Sequence, residues 1–413
     1  METYFTILSE TSPPGETLGC NASNFPNLKL TSVMIGLCLA RFAESLGEKK
    51  NLFGRKEDEW NKAFDEAREE EQLRLELARR SAPGVSPPGA FTAATQTRFR
   101  PIRKLGMGSF GHVYEVEQEG TRERFAQKFI PEERKSTTRR ALKEQVSKEI
   151  SAMQKLRHHH IVTLAFHIED DEGFKLMMQP VADSNLAMYL LDCIAQDYPR
   201  SKIRMLDNWF GCLVTALTFA HNNSVIHEDL KLANILIKDD RVYLADFGCA
   251  RDFENSQSSV STDQAVRGTI DYWPPEPGTT RGRAADVFAL GCVFSEIFTV
   301  RHRRSLDDYQ EHRKSDARDH PYAFSKNLDA VRSWLQLLLV PSEGLNLNDG
   351  TSADPRDQKI MSASADERAA VTHLLLEVTL KMLELDPGGR GDAKKLKKML
   401  RGEDEVLFCG NCL

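Results

Sequence analysis

Beyond residue 99, apolar residues recur first at every second position and later at every third or fourth, the two periods of half-buried strands and amphipathic helices. Residues 100–104 lead into a glycine-rich stretch, and Val113, Tyr114 and Val116 follow it as in a hairpin. Residues 125–130, 161–167 and 174–178 predict three more strands. Residues 143–156 predict a helix with Val146, Ile150 and Met153 on one face. From Leu186 onward the helical period dominates, predicting helices over 204–221, 284–300, 329–339, 366–384 and 392–400. Residues 342–364 are polar and turn-rich, which predicts an inserted loop. A β-rich part thus precedes an α-rich part, an α+β arrangement without internal repeats.

The first hundred residues read differently. Residues 1–30 are polar, with Pro13, Pro14 and Gly15, and predict little order. A short helix is expected over 30–46. Residues 55–80 are dense in charge and free of glycine and proline, and Trp60, Phe64 and Ala67 recur at helical spacing. That pattern fits a solvated amphipathic helix, with docking of a protein partner through residues 30–80 as the alternative. Pro83, Gly84, Pro87, Pro88 and Gly89 make residues 81–96 a linker, so 1–96 form an N-terminal extension.

Composition narrows the function classes. The 413 residues suffice for two lobes, and 40% hydrophobic content can fill their cores. With 55 Lys+Arg against 61 Asp+Glu the formal charge is −6, so no basic field calls for nucleic acid. Eight scattered cysteines fit a reducing compartment. Cys409 and Cys412 have no second ligand pair in sequence, so a metal or redox role stays the minor reading. His158, His159 and His160 read as structural or exposed, because adjacent residues of a strand point to opposite faces. The apolar run 32–40 is too short to span a membrane and is followed by Arg41. The expectation is an intracellular protein, cytoplasmic or nuclear, with no membrane insertion.

The most informative stretch is Val225-Ile226-His227-Glu228-Asp229-Leu230-Lys231-Leu232-Ala233-Asn234-Ile235-Leu236. It sets a carboxylate, an amine and a carboxamide at i, i+2 and i+5, flanked by apolar residues. Twelve residues after Asn234 comes Asp246-Phe247-Gly248. Together they supply a proton acceptor, a phosphate-facing cation and two oxygen ligands for a hard metal ion. Gly106, Gly108 and Gly111 form G-x-G-x-x-G, whose backbone amides can meet phosphate oxygens. The pattern lies between two strands, whereas a dinucleotide loop must open a helix, which excludes the dehydrogenase reading.

This joint set resembles the motifs of the eukaryotic protein kinase superfamily, over about residues 99–402. The resemblance implies a bilobal protein kinase fold, with a small lobe over about 99–178, a helical lobe over about 182–402, an inserted segment over about 301–364 and a tail over 403–413. It implies a serine/threonine protein kinase that uses ATP and Mg2+ on protein substrates. By the same resemblance Lys128, in Ala126-Gln127-Lys128, grips the nucleotide phosphates and is held by Glu149, with Glu144 as competitor. Asp229 takes or orients the substrate proton, Lys231 neutralises the γ-phosphate, and Asn234 and Asp246 hold magnesium. Leu105, Gly106, Gly108, Ser109, Gly111, Val113, Ala126, Met178, Gln179, Val181 and Leu236 would surround ATP, with Met178 as gatekeeper. Thr269, with Lys231, marks the Ser/Thr branch. Glu276, Asp286 and Arg390 match structural positions. The sequence also departs from the family: Glu228 stands where most members have arginine, Leu232 replaces a proline, and Ala233 replaces an acid that basophilic members use. Glu228 is expected to pair with Arg251 in place of an activating phosphate on residues 256–262. The alternative is a pseudokinase, a nucleotide-binding scaffold without turnover. A small-molecule phosphotransferase is disfavoured by the 269–276 segment, which shapes a peptide platform.

Overall fold

The computed structural model describes residues 98–401 and 407–412, apart from 109–110, 132–135, 171, 253–267, 277–281 and 340–364. The chain divides into two units, Met1–Ala94 and Thr95–Leu413, and the described residues all belong to the second. The expected helices before residue 80, the 81–96 linker, the 342–364 loop, Ser109 and the hydroxyl residues of 256–262 therefore lie outside the described residues.

The first part is an antiparallel five-stranded sheet of order β1-β2-β3-β5-β4. Its strands are β1 (Phe99–Gly108), β2 (Gly111–Gln118), β3 (Arg124–Pro131), β4 (Thr163–Asp170) and β5 (Gly173–Gln179). The register pairs Val113 with Lys128 and Ala126 with Met178. One helix, α1 (Ser136–Lys155), packs on this sheet through Val146, Ala152 and Met153. It starts at Ser136 rather than at 143 because its first turns carry polar and β-branched residues, which give no apolar stripe to read. The strand expected over 161–167 is shifted: Ile161 bridges to Leu244 of the helical part, and β4 proper begins at Thr163.

The second part is helical. α2 (Leu186–Ala195) starts at the Asn185 side chain, which accepts the Met188 N–H. α3 (Arg200–Asn222) and α4 (Arg283–Arg301) follow, with α5 (Leu306–His312), α6 (Leu328–Leu337), α7 (Ala365–Met382) and α8 (Ala393–Arg401) around them. Every residue of α4 from Ala285 to Val300 is buried, so it is the axis on which the others pack, with little periodic contrast in its sequence. α8 is the opposite case: Leu396 and Leu400 are buried while its lysines line the other face. Sequence periodicity found α4 and α8 within one residue at each end. It did not isolate the two-turn helix α5, nor the short ladders β6 (Ser184–Asn185), β8 (Ile235–Lys238) and β9 (Arg241–Leu244). The unfamiliar stretch after 301 supplies core residues over its described part: Tyr309, Phe324, Val331 and Leu335 are all buried.

One ion pair ties the far end of this part together. Arg390, fully buried, reaches both oxygens of Glu276 at 2.6 Å and also donates to the carbonyls of Glu384, Leu385 and Ala284. Its guanidinium lies 4.9 Å from the Phe288 ring centre. Removing one member of such a pair strands the other. Arg390→Ala should therefore lower stability by about 3–5 kcal/mol, read as a reduced urea midpoint at unchanged m-value.

Candidate active site

The irregular segment between β7 (Val225–Ile226) and β8 carries the motif residues, and a single buried carboxylate holds it in place. Asp286, in the first turn of α4, accepts the backbone N–H groups of His227 and Glu228 at 2.8 and 2.9 Å. His221 Nε2, from the end of α3, lies 2.9 Å from the same carboxylate. Burial pushes the Asp286 acid up, but the bond to His221 and the neighbouring charges outweigh it and hold the group below the usual carboxylate range. His227 Nε2 donates to the Ala245 carbonyl at 2.9 Å, and its ring meets that of the fully buried Phe247 at 4.8 Å. The Ala245–Phe247 segment is thereby fixed against the motif segment.

Asp229 is the hub of the site. Its Oδ1 accepts the Thr269 N–H at 2.8 Å and the Thr269 hydroxyl at 2.9 Å. Its Oδ2 accepts from Lys231 at 2.9 Å and from the Asn234 amide at 2.9 Å. Lys231 also donates to the Thr269 hydroxyl at 2.7 Å, and Asn234 donates to the Asp229 carbonyl at 2.8 Å. Both amide bonds run from Asn234 Nδ2, which assigns the donor end of the carboxamide to Asp229 and leaves Oδ1 as its acceptor end.

Across the cleft, Lys128 on β3 bonds Glu149 of α1 at 2.7 Å and Asp246 at 3.0 Å. Burial pulls the lysine down, yet the two acids raise it above its ordinary value. Burial also pushes Asp246 up, but Lys128 outweighs it and keeps the acid low, hence ionised. Glu149, not Glu144, meets the lysine; Glu144 is exposed and pairs with Lys148. An ionised Asp246 and the Asn234 oxygen form an all-oxygen donor set that fits a hard divalent cation. Leu105, Val113, Ala126, Met178, Val181 and Leu236 join one hydrophobic cluster beside them. Gln179 turns its side chain out to Glu123.

A Cβ on Gly111 would stand 2.0 Å from the Phe129 carbonyl, so this glycine is needed for strand packing, while Gly106 faces open space. The Arg251 side chain lies outside the described residues. Its backbone, in β10 (Arg251–Asp252), pairs with Ile226, two residues from Glu228, whose φ is 65°.

The protein kinase domain family matches residues 99–399. This chain belongs to the protein kinase domain family. Members use ATP and typically Mg2+. The kinase chain is 30% identical over 222 residues to a serine/threonine-protein kinase of Yarrowia lipolytica, covering 49% of this chain and 30% of that protein. It is 33% identical over 222 residues to the G-type lectin S-receptor-like serine/threonine-protein kinase SD1-13 of Arabidopsis thaliana, covering 52% and 25%. An Aurora kinase of Yarrowia lipolytica matches at 26% over 288 residues, 66% of this chain and 74% of the relative. The match thus spans under a third of the first two relatives.

Sequence reasoning missed two groups around the kinase site. His221 gave no signal, because its role exists only once α3 and α4 pack. Glu296 likewise meets the Tyr272 hydroxyl at 2.9 Å under the Thr269 segment. Burial lifts the Glu296 acid to about 7, against the pull of Arg313 and the Tyr272 bond. Between its ordinary value of 4.5 and about 7 the folded chain holds a proton that the unfolded chain has lost. This group therefore makes stability fall as pH rises through that window, by up to about 3 kcal/mol. Glu296→Gln should remove the slope, so that the variant gains on the wild type between about pH 5 and pH 8 in thermal melts.

Proposed function

We propose that this chain transfers the γ-phosphate of ATP to serine or threonine hydroxyls of protein substrates. The observation that carries the reading is the Asp229 carboxylate, gripped at Oδ1 by Thr269 and at Oδ2 by Lys231 and Asn234. An acceptor held this way can orient an incoming hydroxyl and take its proton as the new O–P bond forms. Lys231, next to it, carries the positive charge that the transferred phosphoryl group needs. Lys128, fixed by Glu149, is the grip for the α- and β-phosphates. Asn234 and Asp246 would hold Mg2+, which when bound neutralises phosphate charge. The adenine ring fits between Leu105, Val113 and Ala126 on one side and Leu236 on the other, with Met178 as gatekeeper and the Gln179 and Val181 backbone at its edge. Two relatives are serine/threonine-protein kinases by name, which supports the class of acceptor.

Labelled ATP, Mg2+ and a degenerate peptide array test the reading. Phosphate should appear on Ser/Thr peptides. Asp229→Asn should keep ATP binding and lose about 10²–10⁴ in turnover. Lys128→Met should depress transfer with the fold intact. ATP binding without any transfer by the wild type would instead make the chain a pseudokinase scaffold.

For regulation, we propose that Glu228 pairs with Arg251 and substitutes for the phosphate that an arginine at 228 would grip. The β7–β10 ladder, which brings the Arg251 backbone beside Ile226, supports this. Replacing Ser256, Ser258, Ser259, Ser261 and Thr262 together by alanine should change activity little. Strict dependence on their phosphorylation would overturn the pairing.

A further inference from the structure

Apart from the residues of the cleft, four metal-ligating side chains converge. His160, Cys212, Cys409 and Cys412 place one ligand atom each within 4.8 Å of all the others, and three of the four residues are buried. They come from three separate segments: the turn after α1, the middle of α3, and the stretch 407–412 that follows α8. We propose that these residues form a structural zinc site of the Cys3His type, which clamps the C-terminal stretch onto α3 and the segment leading into β4.

The donor set selects the ion. Three sulfurs and one imidazole suit tetrahedral Zn2+, whose ligand atoms stand roughly 3.6–3.8 Å apart at ordinary bond lengths. Hard cations prefer oxygen and are disfavoured here. Cys409 and Cys412 have the C-x-x-C spacing of half a zinc site, closed by a turn in which the Cys412 N–H donates to the Cys409 carbonyl at 2.9 Å. The other half is supplied by distant residues, 197 and 249 positions away from Cys409.

The groups around the four ligands hold them in position. His160 Nδ1 donates to the Val242 carbonyl at 2.7 Å, which leaves the Nε2 lone pair aimed at the sulfurs, 3.1 Å from Cys409 Sγ. The Cys409 N–H donates to Cys212 Sγ at 3.4 Å, a bond that favours a thiolate acceptor. His159 meets the Asn411 carbonyl at 2.7 Å and steadies the turn from outside. Leu407 and Phe408 are buried against α3, beside Gly211. A Cβ at 211 would stand 2.2 Å from the Leu407 carbonyl and 2.7 Å from the Phe408 ring, so the residue before the Cys212 ligand must be glycine for the stretch to seat. The cysteines are not paired with one another as disulfides. By joining segments so far apart in sequence, the ion would restrain the unfolded chain as a long-range cross-link does.

The test uses the full chain, purified without chelator from zinc-supplemented cells. Elemental analysis should find about one zinc per chain, and X-ray absorption should give three sulfurs near 2.3 Å and one nitrogen near 2.0–2.1 Å. Replacing the metal with Co2+ should give thiolate-to-cobalt charge transfer and the strong visible bands of a tetrahedral site. Cys212→Ser combined with Cys412→Ser should bring zinc content near zero and lower the melting temperature. The wild-type spectrum keeps the test decisive if that variant does not fold. Zinc well below stoichiometry with no cobalt bands would overturn the site, as would an absorption shell of nitrogen and oxygen alone or a Cys409–Cys412 disulfide found by peptide mapping.

Discussion

A carboxylate removed from water must be answered by hydrogen bonds or positive charge, and Asp286 turns that requirement into architecture. Sitting in the first turn of α4 and itself buried, it has no water to turn to. The groups that satisfy it are the amides of His227 and Glu228 and the ring of His221. The backbone that presents Asp229 is thus held by an electrostatic need of the core. The position of the hub residue follows, and with it the reach of Lys231, Asn234 and Thr269.

The cleft obeys the same rule with the opposite sign. Lys128 is a buried cation, and Glu149 and Asp246 answer it from two different elements. One lysine therefore registers both the seating of α1 against the sheet and the direction of Asp246. A shift of either acid would leave a desolvated charge, so the sheet, α1 and the segment that carries Asp246 are coupled through three side chains.

Much of this was legible in sequence because linear spacing carries it. The i, i+2, i+5 pattern of Asp229, Lys231 and Asn234 sits on one short segment, and Asp246 follows just after the next hairpin. α4 and α8 were found from apolar content and period. What stayed hidden depends on packing between distant segments. His221 and Glu296 look like ordinary helical residues until α3, α4 and the Thr269 segment meet. The four-residue cluster is the sharpest case. In sequence, a metal role for Cys409 and Cys412 was the minor reading, because the residues that meet them, Cys212 of α3 and His160, lie 197 and 249 positions away from Cys409. The expectation of alternating faces assumed a strand, but residues 158–160 leave α1 through an irregular turn in which the three imidazoles lie together, with ring centres 4.6–5.8 Å apart.

The saturation of Asp286 also bears on how the molecule breathes. Amide protons exchange with solvent when the structure holding them opens, and residues 285–300 of α4 are all buried, so their amides should open only with the whole domain. The N–H groups of His227 and Glu228 are bonded to a side chain of that helix. Although they belong to an irregular loop, their deuterium uptake should be as slow as that of a central helix. The loop that presents Asp229 thereby acquires the rigidity of the core without having regular secondary structure of its own.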